Sequence, residues 1–262
     1  YAMSASLVGS EMCIRDSQIC GLFTPWHFFA IAMFFLLLTF ALVFSRKMTP
    51  KQIKITLLVI AIVVTVMEII KIALRIYKND SLDSWIPLYF CSIFLFAIWL
   101  SLFKNKHIKL LGQVMVVFGG ILPAISFIFY PSTSLMIFPI WHPGSIHSLL
   151  YHWLMLYAGC LTLKIYQPKA VHFLYYFGFV TVFTIVAAIV NHFCGTNMMF
   201  LSNPFGLDIL QSIYNVSKHL YAFLAYIAQA VVIFWIEFGI FKLIFYLKKK
   251  IKQKHNRNTI KG

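Results

Sequence analysis

The stretch ITLLVIAIVVTVMEIIKIALRI, residues 55–76, decides what kind of protein this is. Apart from Thr56, Thr65, Glu68, Lys71 and Arg75 it is wholly apolar. As a helix it would reach about 33 Å, enough to cross a hydrocarbon core of about 30 Å. Six further runs obey the same logic: Trp26–Phe44, Trp85–Phe103, Ile108–Tyr130, Ile146–Ile165, Val171–Phe193 and Leu220–Leu247. They are continuously apolar rather than alternating, which selects helices over barrel strands, and a spanning helix satisfies its own backbone groups in lipid. The whole chain is 61% hydrophobic and 11% charged, far from the composition of a water-soluble globule. The sequence therefore predicts an all-α polytopic membrane protein, a seven-helix transmembrane bundle.

The formal charge of +15 resembles that of a nucleic-acid binder until the positions are read. A polyanion binder gathers its basic residues on one soluble surface. Here they alternate by loop: Arg46, Lys47, Lys51 and Lys54 follow the first run, Lys104, Lys106 and Lys109 the third, Lys164 and Lys169 the fifth. Seven more lie between Lys248 and Lys261, so the positive-inside rule places the amino end outside and the carboxyl end in the cytoplasm. The tail reads as an orientation signal that also meets anionic lipid headgroups, and no nucleic-acid partner is expected. The expected location is a cell membrane, bacterial in type.

SLVGSEMCIRDS, residues 6–17, resembles a translated sequencing-adapter remnant, and residues 1–17 are set apart as non-native. The expected organisation is then a seven-span domain over 18–247 and a basic cytoplasmic tail over 248–262. The five cysteines show no paired spacing, which excludes a disulfide framework and a zinc ribbon. Pro123, after Gly119 and Gly120, is expected to kink the fourth run or to thin its packing. Two loops outside the charge-rich side, 130–144 (YPSTSLMIFPIWHPG) and 194–206 (CGTNMMFLSNPFG), are uncharged, aromatic and rich in turn formers, and are expected to fold back over the bundle.

Polar side chains within the runs gather toward the outer half. Cys91 lies six residues below the outer end of the third run, about 9 Å deep if helical, and His152 lies at similar depth in the fifth. His27 opens the first run; Asn191 and His192 close the sixth; Glu68 and Lys71 lie in the second. Ionisable groups are costly in lipid and by default mark a function. A buried cysteine taken alone is a small hydrophobe, and Cys160, deeper and without an ionisable neighbour in sequence, is the internal comparison. A thiol and an imidazole at matched depth on two helices are what a nucleophile and its base require. Zinc held by His142, His147, His152 and His192 is the rival reading. The five-residue spacing of His147 and His152 turns them about 140° apart on a helix, and no carboxylate-rich set or HExxH appears, so no metal or cofactor is expected. Glu68 and Lys71, three apart, either neutralise each other or leave Glu68 to orient a histidine.

FTPWH at 23–27, IPLYFC at 86–91, YHW at 151–153 and GTNMMFL at 195–201, followed by Asn203 and Pro204, together resemble the bacterial YwaF-type integral membrane proteins. These are similar to the vertebrate transmembrane protein 164 acyltransferases and, more distantly, to androgen-induced-type membrane lipid hydrolases. The resemblance runs from about residue 22 to 247. It implies a lipid acyltransferase or ester hydrolase acting on a phospholipid or lysophospholipid, with Cys91 at the nucleophile position, His152 at the base position and Asn197 in the asparagine loop. Asn197 and Asn191 are then the oxyanion candidates, with His192, Tyr89, Glu68 and His27 as further candidates for substrate binding. One departure is Tyr89, where the bacterial pattern commonly carries a histidine; a phenol lacks that base strength at neutral pH. The competing class is a small-molecule transporter or channel lined by Glu68 and Lys71, although repeats and broken midplane helices do not stand out.

The orientation is open to direct test. A cysteine placed at Asn256 should react with a membrane-impermeant maleimide only after permeabilisation; labelling in intact cells would reverse the assignment.

Overall fold

The computed structural model describes residues 19–204 and 208–259. The segment read as a sequencing remnant, Phe205 and Gly206 of the second outer loop, and Lys261 of the tail lie outside the described residues. Among the described residues the regular structure is helical, without strands. Six helical stretches are long and apolar enough to cross a membrane: Pro25–Lys47, Pro50–Tyr77, Leu82–Leu100, Lys106–Phe129, Ala170–Cys194 and Lys218–Ile251. The remaining run is also a helix, Pro143–Thr162, but its His, Tyr and Ser content sets it apart from those six.

The chain divides into two compact units, one built from the chain up to Pro87 with Cys91–Ile165, the other from Leu88–Phe90 with the chain from Tyr166 onward. The first contains α1 (Pro25–Phe44), α2 (Pro50–Tyr77), α3 (Ile93–Leu100), α4 (Lys106–Phe118), α5 (Ile121–Phe129) and α6 (Pro143–Thr162). Three of these begin alike. A residue whose side chain accepts from a first-turn N–H (Thr24, Thr49, His142) precedes a proline at the first helical position, where no donor is needed. At α2 the cap is reciprocal: Thr49 Oγ1 accepts from the Gln52 N–H, and Gln52 Oε1 accepts from the Thr49 N–H.

Proline also decides where the expected runs break. The fourth divides at Gly119 and Gly120, because Pro123 offers no N–H to the carbonyl four residues back. The third departs further from expectation. Only a single turn at Leu82–Trp85 and α3 are α-helical; the chain around Pro87 is not, and Phe90–Ser92 is a 3₁₀ turn. Cys91 is therefore not two turns inside a helix but in the turn that leads into α3. The cause is local, since Pro87 lacks a donor and biases Ile86 away from helical backbone.

Helix α6 is the centre of this unit. It packs against α1, α2, α4 and α5, and eleven of its twenty residues are buried. Its far end is held by Tyr157, hydrogen-bonded to the Ser45 hydroxyl at 2.5 Å, and by Lys164, which donates to the Ser45 carbonyl at 2.6 Å. In the apolar stretch of α4 and α5, 78% of residues are buried, against 22% in α1, which turns Leu36, Phe40 and Phe44 outward. The loop over 130–144 does fold back: Cys20 and Gly21 donate to the carbonyls of Phe138 and Leu135, and Leu135 is buried with Cys20 and Ala30.

The second unit holds α7 (Phe173–Cys194), α8 (Asp208–Val216), α9 (Lys218–Ile227) and α10 (Ile233–Thr259). A π-helical stretch, Ala228–Val232, links α9 to α10 within the last expected run. α7 buries one stripe, Tyr176, Val180, Thr184, Ala187 and Asn191, at helical spacing.

Helix contact in the first unit depends on Gly112, where a Cβ would lie 2.0 Å from the Ser101 nitrogen and 2.4 Å from the Leu100 carbon. Those are backbone atoms that cannot rotate away. Gly112→Ala should cost about 1–3 kcal/mol in thermal unfolding of the detergent-solubilised protein. Gly239→Ala, with no atom within 4 Å, should be neutral or slightly stabilising; equal midpoints for the two variants would contradict this packing.

Candidate functional site

In the first unit the chemistry-bearing side chains converge around one turn of α6. The Tyr151 hydroxyl donates to the Cys91 carbonyl at 3.2 Å, and its ring lies edge-on to Phe94 at 6.0 Å. The segment carrying the thiol is thereby tied to the helix carrying the imidazole. His152 is only 8% exposed and stacks face to face on Phe127, centroids 3.7 Å apart. Its Nδ1 is 2.8 Å from the Ser148 carbonyl one turn back. A carbonyl only accepts, so Nδ1 carries the proton and Nε2 presents its lone pair. That Nε2 is buried and has no hydrogen-bond partner. No hydrogen bond therefore joins either ring nitrogen to the Cys91 thiol in this resting arrangement.

A second group borders the first. Glu68, 4% exposed, accepts from Lys71 through Oε1, while its Oε2 lies 3.9 Å from His147 Nε2. Glu68 is thus paired with Lys71, and the histidine nearest its second oxygen makes no hydrogen bond to it. That histidine is His147, whose ring lies 6.1 Å from Tyr151. The five-residue offset sends the two imidazoles to different partners, one to Glu68 and the other to Phe127.

His27 has a different use. Its Nδ1 accepts from the Phe23 N–H at 2.9 Å and its Nε2 donates to the Ile128 carbonyl at 2.9 Å, with the ring fully buried. Both nitrogens hold the entry to α1 against the end of α5. Cys20, nearby in sequence, is buried too, and loss of hydration pushes its thiol up from the usual range.

In the second unit the asparagine loop is braced by its own side chains. Asn191 Oδ1 accepts from the Met198 N–H at 2.6 Å and from Thr196 at 2.8 Å, and its Nδ2 donates to the Met198 carbonyl. Asn197 accepts from the N–H groups of Ser202 and Asn203 and donates to the Asn203 carbonyl. Met199 and Phe200 adopt φ of 55° and 53°, a left-handed conformation costly for non-glycine residues. Gln229, within the π-helical stretch, donates to the Met199 carbonyl, and Tyr221 donates to that of Phe200. Tyr89 lies 5.3 Å from the Phe200 ring, whereas His192 is exposed.

Three residues here escape a reading of the sequence. Tyr151 stands beside His152 in the YHW motif, yet only the fold reveals that it reaches Cys91. Phe127 gives no signal in an apolar run. Glu237 does give one: the criterion that singles out Glu68, a carboxylate inside an apolar run, applies equally to FWIEFGIF, and Glu237 is 2% exposed within electrostatic reach of Tyr176.

The TMEM164 family model matches residues 22–238. No curated protein and no solved structure matches the chain.

Removing the Asn191 carboxamide leaves the Met198 N–H unpaired and its carbonyl with only the Leu201 N–H, at a cost of about 2 kcal/mol. Asn191→Ala should therefore speed hydrogen exchange at Met198 to Phe200, with His192→Ala as the unaffected comparison. Unchanged exchange in Asn191→Ala would show that the loop holds without this bracing.

Proposed function

The chain belongs to the TMEM164 family, and from that membership together with the Cys91 and His152 arrangement we propose a lipid acyltransferase or ester hydrolase working through a thioester on Cys91. The observation that carries the reading is the bare, buried Nε2 of His152, one residue along α6 from the Tyr151 hydroxyl that holds the Cys91 carbonyl.

In the proposed reaction His152 Nε2 takes the Cys91 proton and the thiolate adds to a phospholipid ester carbonyl. The tetrahedral adduct collapses, the C–O bond breaks, and the leaving lysolipid alkoxide receives the proton from His152. The acyl-thioester is then attacked by the hydroxyl of a second lysolipid or by water, with His152 again moving the proton and Cys91 leaving as the thiol. Cys91 stands where such a nucleophile benefits from position, in the turn at the amino end of α3, where the helix dipole favours an anion. The Ser148 and Phe127 contacts would keep His152 in one tautomer and one orientation through both half-reactions.

The topology that suits this chemistry has α6 as a seventh, protein-enclosed span, the amino end outside and the basic tail in the cytoplasm of a cell membrane. Phospholipid then enters sideways, with its glycerol esters at the headgroup boundary near Cys91. Glu68, paired with Lys71 and facing His147, sets the charge near Tyr151 rather than lining a transport path.

Purified protein in vesicles with a radiolabelled phospholipid donor and a lysolipid acceptor tests the reading. Acyl transfer or release should fall at least about 10³-fold in Cys91→Ala and in His152→Ala, and survive in Cys160→Ala. Undiminished turnover in Cys91→Ala, or uptake of solute that depends on Glu68 but not on Cys91, would replace the enzyme with a transporter.

A further inference from the structure

Thioester formation and breakdown both pass through a tetrahedral oxyanion, and a site that excludes water must supply a donor to it. Each asparagine amide gives one N–H to its own loop, Asn191 to the Met198 carbonyl and Asn197 to that of Asn203, whereas the Tyr151 hydroxyl donates to the nucleophile's own residue. Resting on the thioester reading above, we propose that the Tyr151 hydroxyl is the oxyanion donor.

Three observations lead there. First, the donor is positioned on the nucleophile's own residue. The hydroxyl donates to the Cys91 carbonyl at 3.2 Å, which puts it on the residue whose sulfur would carry the acyl group. Second, the hydrogen bond it makes at rest is a long one to a neutral carbonyl. An O–H donor bonds at about 2.7 Å when well placed, and a charged acceptor strengthens the bond roughly twofold, so turning the O–H from carbonyl to oxyanion is favourable. Third, the ring is held. Tyr151 is 6% exposed, Phe94 meets it edge-on, and the His147 and His152 rings lie 6.1 and 5.6 Å away. A donor fixed before substrate arrives pays no reorganisation cost when charge develops.

His147 and Glu68 border the phenol: Glu68 Oε2 lies 3.9 Å from His147 Nε2, and the His147 ring 6.1 Å from that of Tyr151. Lys71 neutralises the carboxylate, which keeps a full negative charge from opposing an oxyanion nearby.

The chemistry assigns Tyr151 to the transition state and not to substrate capture. In vesicles, Tyr151→Phe should lower kcat for acyl transfer by about 10²-fold while KM stays within about twofold. Alkylation of Cys91 by iodoacetamide, which creates no oxyanion, should proceed at the wild-type rate. A trifluoromethyl ketone analogue of the phospholipid, which forms a tetrahedral adduct with the thiol, should lose affinity in proportion to kcat. Wild-type kcat in Tyr151→Phe alongside an inactive Cys91→Ala overturns the donor role and leaves the thioester reading standing. A parallel loss of alkylation, or ketone affinity that does not follow kcat, shows that the phenol only supports the fold and overturns it as well. Activity surviving in Cys91→Ala removes the thioester reading and this inference with it.

Discussion

A polar side chain enclosed among apolar helices must find its partner inside the protein, and α6 is the helix on which that constraint falls hardest. It carries His147, Ser148, Tyr151, His152 and Tyr157 along twenty residues, a composition that lipid does not tolerate on an outward face. The arrangement of the first unit follows. Helices α1, α2, α4 and α5 pack around α6, while the outer surfaces of α1 and α2 present leucine, isoleucine, valine and phenylalanine. Several enclosed polar groups are matched locally, a carbonyl for His152 Nδ1, the Cys91 backbone for Tyr151 and Ser45 for Tyr157, while Ser145 Oγ, His147 Nε2 and Trp153 Nε1 of the same helix make no hydrogen bond. His152 Nε2 is another such atom, on the residue next along α6 to Tyr151, whose hydroxyl reaches the Cys91 carbonyl.

The second unit solves a related problem differently. Its strained loop contains two consecutive residues at positive φ, and side chains from α7, α9 and the π-helical stretch satisfy its backbone groups. Asn191, Tyr221 and Gln229 are scattered over nearly forty residues of sequence yet address consecutive peptide groups, Met198, Met199 and Phe200. Such over-determination is what allows a costly backbone conformation to persist. Glu237, buried within the last helix, adds a second intramembrane carboxylate whose cost must likewise be met within the protein.

Much of this architecture is legible in the chain itself. Apolar runs of membrane-crossing length locate the helices, and the Thr-Pro and His-Pro pairs mark three of their starts. The 140° offset between His147 and His152 foretells that they serve different neighbours. What composition does not convey is whether an apolar segment is helical: IPLYFC is as greasy as its surroundings, and the local effect of Pro87 outweighs that signal, moving Cys91 from helix to turn. Nor does sequence spacing reveal contacts made across helices. Tyr151 reads as a neighbour of His152 and proves to touch Cys91, sixty residues away. Asn197 belongs to a motif read as functional, and its carboxamide is engaged in loop hydrogen bonds.

The proposed covalent chemistry falls on a single sulfur, and that sulfur can be weighed. Reconstituted protein incubated briefly with a phospholipid donor, quenched in acid and analysed by intact and peptide mass spectrometry should carry one acyl chain on the peptide containing Cys91, removable by neutral hydroxylamine. An unmodified Cys91 under turnover conditions, or an acyl chain found instead on Cys160 or Cys194, would contradict it.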